Sequence, residues 1–271
     1  MPHFTIDAEN ALFYLHTEPS RSGAPTFVFV NALTGSTTHW EAHVAPALRD
    51  QGFGTLSYNF RGQDDSPFSE GTELTNTLIV DDLSALLAAI NPARPILVGL
   101  SIGGLYAAQT RHRGAPAEAL VLLNTLREIN PRIAWINDAL PHYVATGGTG
   151  LFLGALMPLL VNPEFAQTQR PNFLNGPYAP LDPSHGHANL MRHSVDTDWA
   201  FDWSSLNLPV LSITGLHDRV FRDPDVIDRL FATLPTAERE DWDDAGHLLP
   251  IERPEKLAAS LASFGAKIET S

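Results

Sequence analysis

At 271 residues the chain suits one large domain, or one domain with an insertion, and can bury roughly three quarters of its unfolded surface without a metal or disulfide staple. Its 17 Lys and Arg against 31 Asp and Glu leave a net charge of −14, a field that repels phosphate and argues against nucleic-acid and anionic-membrane partners. Cysteine is absent, which excludes disulfides, a thiol nucleophile and thiolate metal sites. The N-terminus lacks a basic stretch followed by an apolar one. The longest apolar run, 151–161, contains Gly154 and Pro158 and is too short to span a bilayer. The expectation is a soluble, cytoplasmic protein.

In chain order, residues 4–7 and 12–16 with Asn10 between them predict a leading antiparallel hairpin. Residues 26–30 (TFVFV) are apolar throughout, as in a strand covered on both faces, and end at a loop, 31–38. A helix over 40–50, a strand over 54–58 and a helix over 74–90 follow, the last with Leu83, Leu86, Leu87 and Ile90 at helical spacing. Then come a strand at 96–99, a helix over 103–113 and a strand at 120–123. After a long interruption, a strand at 210–213, a helix over 224–234 and a closing helix over 254–264 complete the pattern. This alternation predicts an α/β fold, a mostly parallel, twisted, doubly wound sheet flanked by helices.

The alternation breaks over 125–205, too long for a bare loop in a compact domain. That stretch reads as a mainly helical insertion, with 1–124 and 206–271 forming the core. Ligands of such sheets bind outside the carboxyl ends of the strands, so an insertion there would roof the site. Of its Trp135, Met157, Met191, Trp199 and Trp203, some are expected to line a pocket and most to form the insertion's own core.

The strongest local signal is Gly99-Leu100-Ser101-Ile102-Gly103, between an apolar strand and a helix. A G-x-S-x-G turn lifts the serine hydroxyl above the sheet, and the helix start supplies N–H groups and positive dipole where an oxyanion would form. A serine needs a base, and the base an orienting group. His247 lies in Asp-Asp-Ala-Gly-His before the last helix, and Asp218 follows the strand 210–213. Each alone reads as an ordinary loop residue. The order Ser101, Asp218, His247 is the order of a triad built on successive strand ends of one sheet.

With these residues in place, the chain resembles the α/β-hydrolase superfamily with a cap domain, over nearly its whole length. The resemblance makes Ser101 the nucleophile, Asp218 the acid and His247 the base. It matches Asn31-Ala32-Leu33 to the family's oxyanion loop, with the N–H groups of Leu33 and Ile102 as the implied donors and Asn31 and Ala32 near the substrate. Asn31 stands where the family usually has His, and Ala32 where it has Gly, which is similar to 3-oxoadipate enol-lactonase-like members. The stretch 59–66 matches the family's D-x-R-G-x-G-x-S element with Asn59, Gln63 and Asp64 replacing Asp, His and Gly. There Arg61 reads as a structural ion-pair residue.

The expected function is a cofactor-independent serine hydrolase of a small ester or lactone, acting through an acyl-enzyme, with no metal. The same triad would also serve an acyltransferase or a C–C bond hydrolase, and a non-catalytic receptor on the same scaffold is a third reading. Arg127 and Arg132, after the fourth of these strands, read first as surface charges. The other reading is a cation at the pocket that selects a carboxylated substrate. His185, His187 and His193 lack the register of a metal site and read as part of a loop. Asp81 and Asp82 read as the solvated first turn of a helix. Oligomeric state is not legible.

Overall fold

The computed structural model describes residues 2–270. Strands β1 (His3–Thr5) and β2 (Ala11–Thr17) form the leading hairpin, and β3 (Thr26–Val30) starts the parallel sheet. The single helix expected over 40–50 is two, α1 (Thr37–Glu41) and α2 (Val44–Arg49). Pro46 explains the break, since it has no N–H and its ring crowds the carbonyl four residues earlier. β4 (Gly54–Tyr58), α3 (Asn76–Ile90), β5 (Pro95–Leu100), α4 (Ile102–His112) and β6 (Ala119–Leu123) follow. The insertion holds α5 (Pro131–Leu160), α6 (Pro163–Gln169) and α7 (Gly186–Ser194). β7 (Val210–Gly215), α8 (Pro224–Phe231), β8 (Ala237–Trp242), α9 (Leu249–Glu252) and α10 (Pro254–Glu269) complete the chain.

The eight strands run in the order β1-β2-β4-β3-β5-β6-β7-β8. β2 pairs antiparallel with β4, and β3 to β8 are parallel. Strand order reverses at β3, so the loops after β3 and β5 open side by side at one end of the sheet, where such folds bind ligands. The central strands are buried along their whole length because helices cover both faces. On one face Ile79, Leu83, Leu105 and Ile227 of α3, α4 and α8 pack on Val28, Leu97 and Leu120. On the other, Val44 and Leu48 of α2 and Leu257, Leu261 and Phe264 of α10 pack on Phe27, Phe29 and Val98.

Helix starts follow local chemistry. Asn130 and Asp223 accept the N–H groups of Ile133 and Val226, and Pro131 and Pro224 occupy the first helical position. α5 is long and apolar enough in composition to cross a bilayer. It is broken at Gly147 and Gly148, the latter at φ +70°, and Leu140, Val144 and Phe152 pack with Met191 of α7 in a cluster of the insertion's own.

Three further expectations are corrected. Asp82 is buried inside α3 in a bidentate ion pair with Arg61, both bonds 2.7 Å, whereas Asp81 is exposed beside Arg113. Trp135 is 80% exposed, and Trp203 joins the main core beneath the sheet. His187 and His193 lie within α7 rather than in a loop, and His185 caps that helix by accepting the N–H of His187 at 3.2 Å.

Candidate active site

Ser101 stands at the junction of β5 and α4 with φ +59° and ψ −122°, a strained backbone for a residue with a Cβ. The strain is locked from both sides. The Ser101 N–H donates to Leu123 O of β6 at 2.7 Å, and Thr125 Oγ1 donates to Ser101 O at 3.0 Å. The flanking glycines are required by close approach. A Cβ on Gly99 would lie 2.3 Å from Gly104 Cα, and one on Gly103 2.4 Å from the carbonyl oxygens of Val30 and Asn31. The hydroxyl is thereby held over the carboxyl end of the sheet at the start of an eleven-residue helix.

Asp218 and His247 come from the two neighbouring strand ends. Asp218 follows β7, and His247 lies between β8 and α9. Asp218 Oδ2 binds His247 Nδ1 at 2.7 Å, and its Oδ1 accepts the N–H groups of Val220 and Phe221 at 2.9 Å. Burial pushes the Asp218 carboxyl up. The charge and hydrogen bond of His247, the Phe221 N–H and the Arg127 charge outweigh it and hold the group below the usual carboxylate range. With Nδ1 fixed, Nε2 is the imidazole nitrogen left to serve Ser101.

Ser101 and His247 line one cavity of about 70 Å3. Leu33, Ile102 and Phe221 wall it from the core, and Leu140, Phe152 and Trp199 from the insertion. Among the described residues the N–H groups of Leu33 and Ile102 have no hydrogen-bond acceptor, so both are free for an oxyanion.

The Ser101 hydroxyl is not bonded to His247 among the described residues. Its Oγ accepts from Arg127 Nη2 at 2.7 Å. Arg127 is therefore no surface charge. It is 5% exposed, and its guanidinium carbon lies 4.4 and 4.6 Å from the ring centres of Trp199 and Phe221. Burial lowers its pKa to about 10, even with Asp218 nearby. Arg132 lies apart, donating to the carbonyls of Val220 and Arg222.

Asn31 departs from the expected substrate contact. Its side chain donates to Tyr58 O at 2.9 Å and Gln63 Oε1 at 3.0 Å, and accepts from Trp40 Nε1 at 2.7 Å, so it is spent on holding the loop. Ala32 does line the cavity.

Three supporting residues escaped the reading of the sequence. Gln63 Nε2 donates to Ala32 O at 2.8 Å and Leu33 O at 3.1 Å, which fixes the loop bearing the Leu33 N–H. Its place in the motif after β4, where the family has His, was the available signal. Asn124 donates to the carbonyls of Gly246 and His247 at 3.0 Å and accepts the Gly215 N–H at 2.8 Å, tying the histidine loop to β7. The Glu252 carboxylate accepts the N–H groups of Gly246, Leu248 and Asn162 and the Asn162 amide, each at 2.8 Å. Nothing local to its sequence marked Glu252, since the partners are distant or main-chain. The insertion also grips this loop. The carbonyl of Leu160, at the end of α5, accepts the His247 N–H at 2.6 Å, and that of Leu159 the Arg219 N–H at 2.8 Å.

Comparison with known proteins places this arrangement. Residues 25–254 match the family model described as alpha/beta hydrolase fold. The chain is 26% identical over 249 residues to 3-oxoadipate enol-lactonase 1 of Acinetobacter baylyi, covering 91% of this chain and 90% of that one. Its fold is similar to that of the enol-lactonase from Burkholderia xenovorans LB400, with a TM-score of 0.77, 23% identity and 97% and 99% of the two chains covered. A thermophilic esterase from Thermogutta terrifontis is similarly close, with a TM-score of 0.76, 22% identity and 98% and 97% coverage.

Proposed function

The chain belongs to the α/β-hydrolase family, and from that premise we propose that it is a serine hydrolase cleaving a small carboxylic ester or lactone through an acyl-enzyme. The observation that carries this reading is the buried His247–Asp218 pair, whose imidazole lines one cavity with a strained serine. The resemblance to an enol-lactonase in sequence gives the reaction type further support.

In the first half-reaction, Ser101 Oγ attacks the carbonyl carbon and its proton passes to His247 Nε2. Asp218 keeps the imidazole in the tautomer that accepts at Nε2 and stabilises the imidazolium. The carbonyl oxygen takes the negative charge toward the Leu33 and Ile102 N–H groups, each worth roughly 3–4 kcal/mol in comparable sites. Collapse of the tetrahedral adduct breaks the C–O bond, and the leaving oxygen takes the proton from His247. Water then repeats the sequence on the acyl-enzyme, so that ester and water become acid and alcohol, and a lactone becomes a hydroxy acid. We read the insertion as the cap, because its side chains roof the cavity. A cavity this small suits a short acyl group.

Ser101→Ala tests the reading. Hydrolysis of short esters should fall by about 10⁴-fold or more with the thermal transition retained, and a fluorophosphonate should modify the parent protein at Ser101 alone. Turnover that persists in the variant would refute the mechanism.

A further inference from the structure

The cavity contains a buried cation without a counter-ion. The Arg127 guanidinium spends Nη2 on Ser101 Oγ at 2.7 Å and Asn124 O at 3.1 Å. Its Nε is buried and has no hydrogen-bond partner. Among the described residues no carboxylate lies within ion-pair distance of it, and the nearby Asp218 is already committed to His247 and two backbone N–H groups. No Asp or Glu lines the cavity among the described residues. The contrast with the chain's other buried arginine is direct, since Arg61 has Asp82 in a two-pronged pair. Aromatic faces offset only part of the cost of burying a cation. In a chain of net charge −14, a positive group kept at the nucleophile calls for an anion that arrives with the ligand.

We infer that Arg127 receives a carboxylate that the substrate carries within a few bonds of its scissile carbonyl, so that the preferred substrates are half-esters of short dicarboxylic acids or carboxylated lactones. This rests on the acyl-enzyme reading of Ser101. Both two-pronged edges of the guanidinium include Nη2, so a carboxylate that binds two-to-two takes Nη2 over from the Ser101 hydroxyl together with Nε or Nη1, an exchange a neutral ester cannot make.

The experiment compares monoethyl succinate with ethyl 4-oxopentanoate, in which an acetyl group of similar shape replaces the carboxylate. The parent protein should favour the half-ester by about 100-fold in kcat/KM. Arg127→Gln should bring the ratio close to one, and Arg127→Lys should keep part of it. Equal kcat/KM for the two esters in the parent protein, or an unchanged ratio in Arg127→Gln, overturns the inference. Should Arg127→Gln fail to fold, competition in the parent protein decides. Butyrate should inhibit at least about tenfold better than butyramide, and equal inhibition overturns the inference. Fluorophosphonate modification of Ser101 separates the two levels. A protein modified there that shows no charge preference loses the carboxylate inference alone, whereas one that is not modified and keeps its turnover in Ser101→Ala loses both.

Discussion

The Glu252 carboxylate accepts the backbone N–H of Gly246 at 2.8 Å, and through that bond a side chain remote from the cavity positions the imidazole one residue further on. The same carboxylate takes the N–H of Leu248 on the other side of His247, and both the N–H and the amide of Asn162 just beyond α5. Four donors converge on one anion, which is how a buried charge is held without a cationic partner. His247 is thus gripped on both sides.

Glu252→Gln tests that grip. An amide offers one acceptor oxygen and turns an NH2 group toward donors it cannot satisfy. Stability should fall by about 2–4 kcal/mol, read as a lower midpoint in urea unfolding. In the folded fraction kcat should drop by about 10–100-fold with little change in KM, because a displaced imidazole impairs the chemical step rather than binding. An unchanged kcat would show that the loop keeps its place without the carboxylate.

Gln63→Ala addresses the opposite wall. Gln63 Nε2 holds the carbonyls of Ala32 and Leu33, so its loss loosens the loop carrying the Leu33 N–H. That N–H matters most when the oxyanion forms, so kcat should fall by about 10–100-fold while KM stays within about threefold. Steady-state kinetics on one short ester are sufficient, and a change confined to KM would remove the assigned role.

Arg127→Met should leave the ligand-free protein more stable by about 1–2 kcal/mol, because it replaces a buried charge lacking a counter-ion with an apolar side chain of similar length. The pH dependence has a definite sign. Burial lowers the folded-state pKa of Arg127 to about 10, below the ordinary arginine value. Between those two values the unfolded chain binds more protons, so the parent protein gains stability as pH rises through that window, and below about 10 it carries the full penalty. The advantage of Arg127→Met should therefore be constant from pH 7 to 9 and shrink above pH 10. Paired urea titrations at those pH values check this. A variant less stable than its parent at neutral pH would mean that the aromatic contacts and the bond to Asn124 outweigh the desolvation of the charge.

The parts legible in the sequence are those with a local cause. The G-x-S-x-G turn needs small neighbours within a few residues, so its signature is compact. The continuous apolar strands follow from burial on both faces. β8 is harder to read because it lies at the sheet edge, and its sequence, AEREDW, carries four consecutive charged residues, none of them buried. Asp82 reads as a helix-surface acid until its partner is known, and Arg61 lies 21 positions away. Arg127 is the sharpest case. One arginine in a loop carries no mark of burial, and only the convergence of Ser101, Trp199 and Phe221 around it places it inside. Trp135 errs in the other direction, since a large aromatic in an amphipathic stretch reads as core and here faces outward.

The last carbonyls of α5 remain the feature with the widest reach. Helix ends leave such groups needing donors, and here the backbones of Arg219 and His247 supply them. Roof and strand-end loops are therefore spliced through the main chain, and among side-chain replacements at the two donors only proline, which removes the N–H, would cut a bond outright. The earlier turns of that helix meet the cavity through Leu140, Phe152 and Leu153, while its final turn holds the loops that carry Asp218 and His247. A chimera that borrows a roof from a relative would have to import the docking turn along with it.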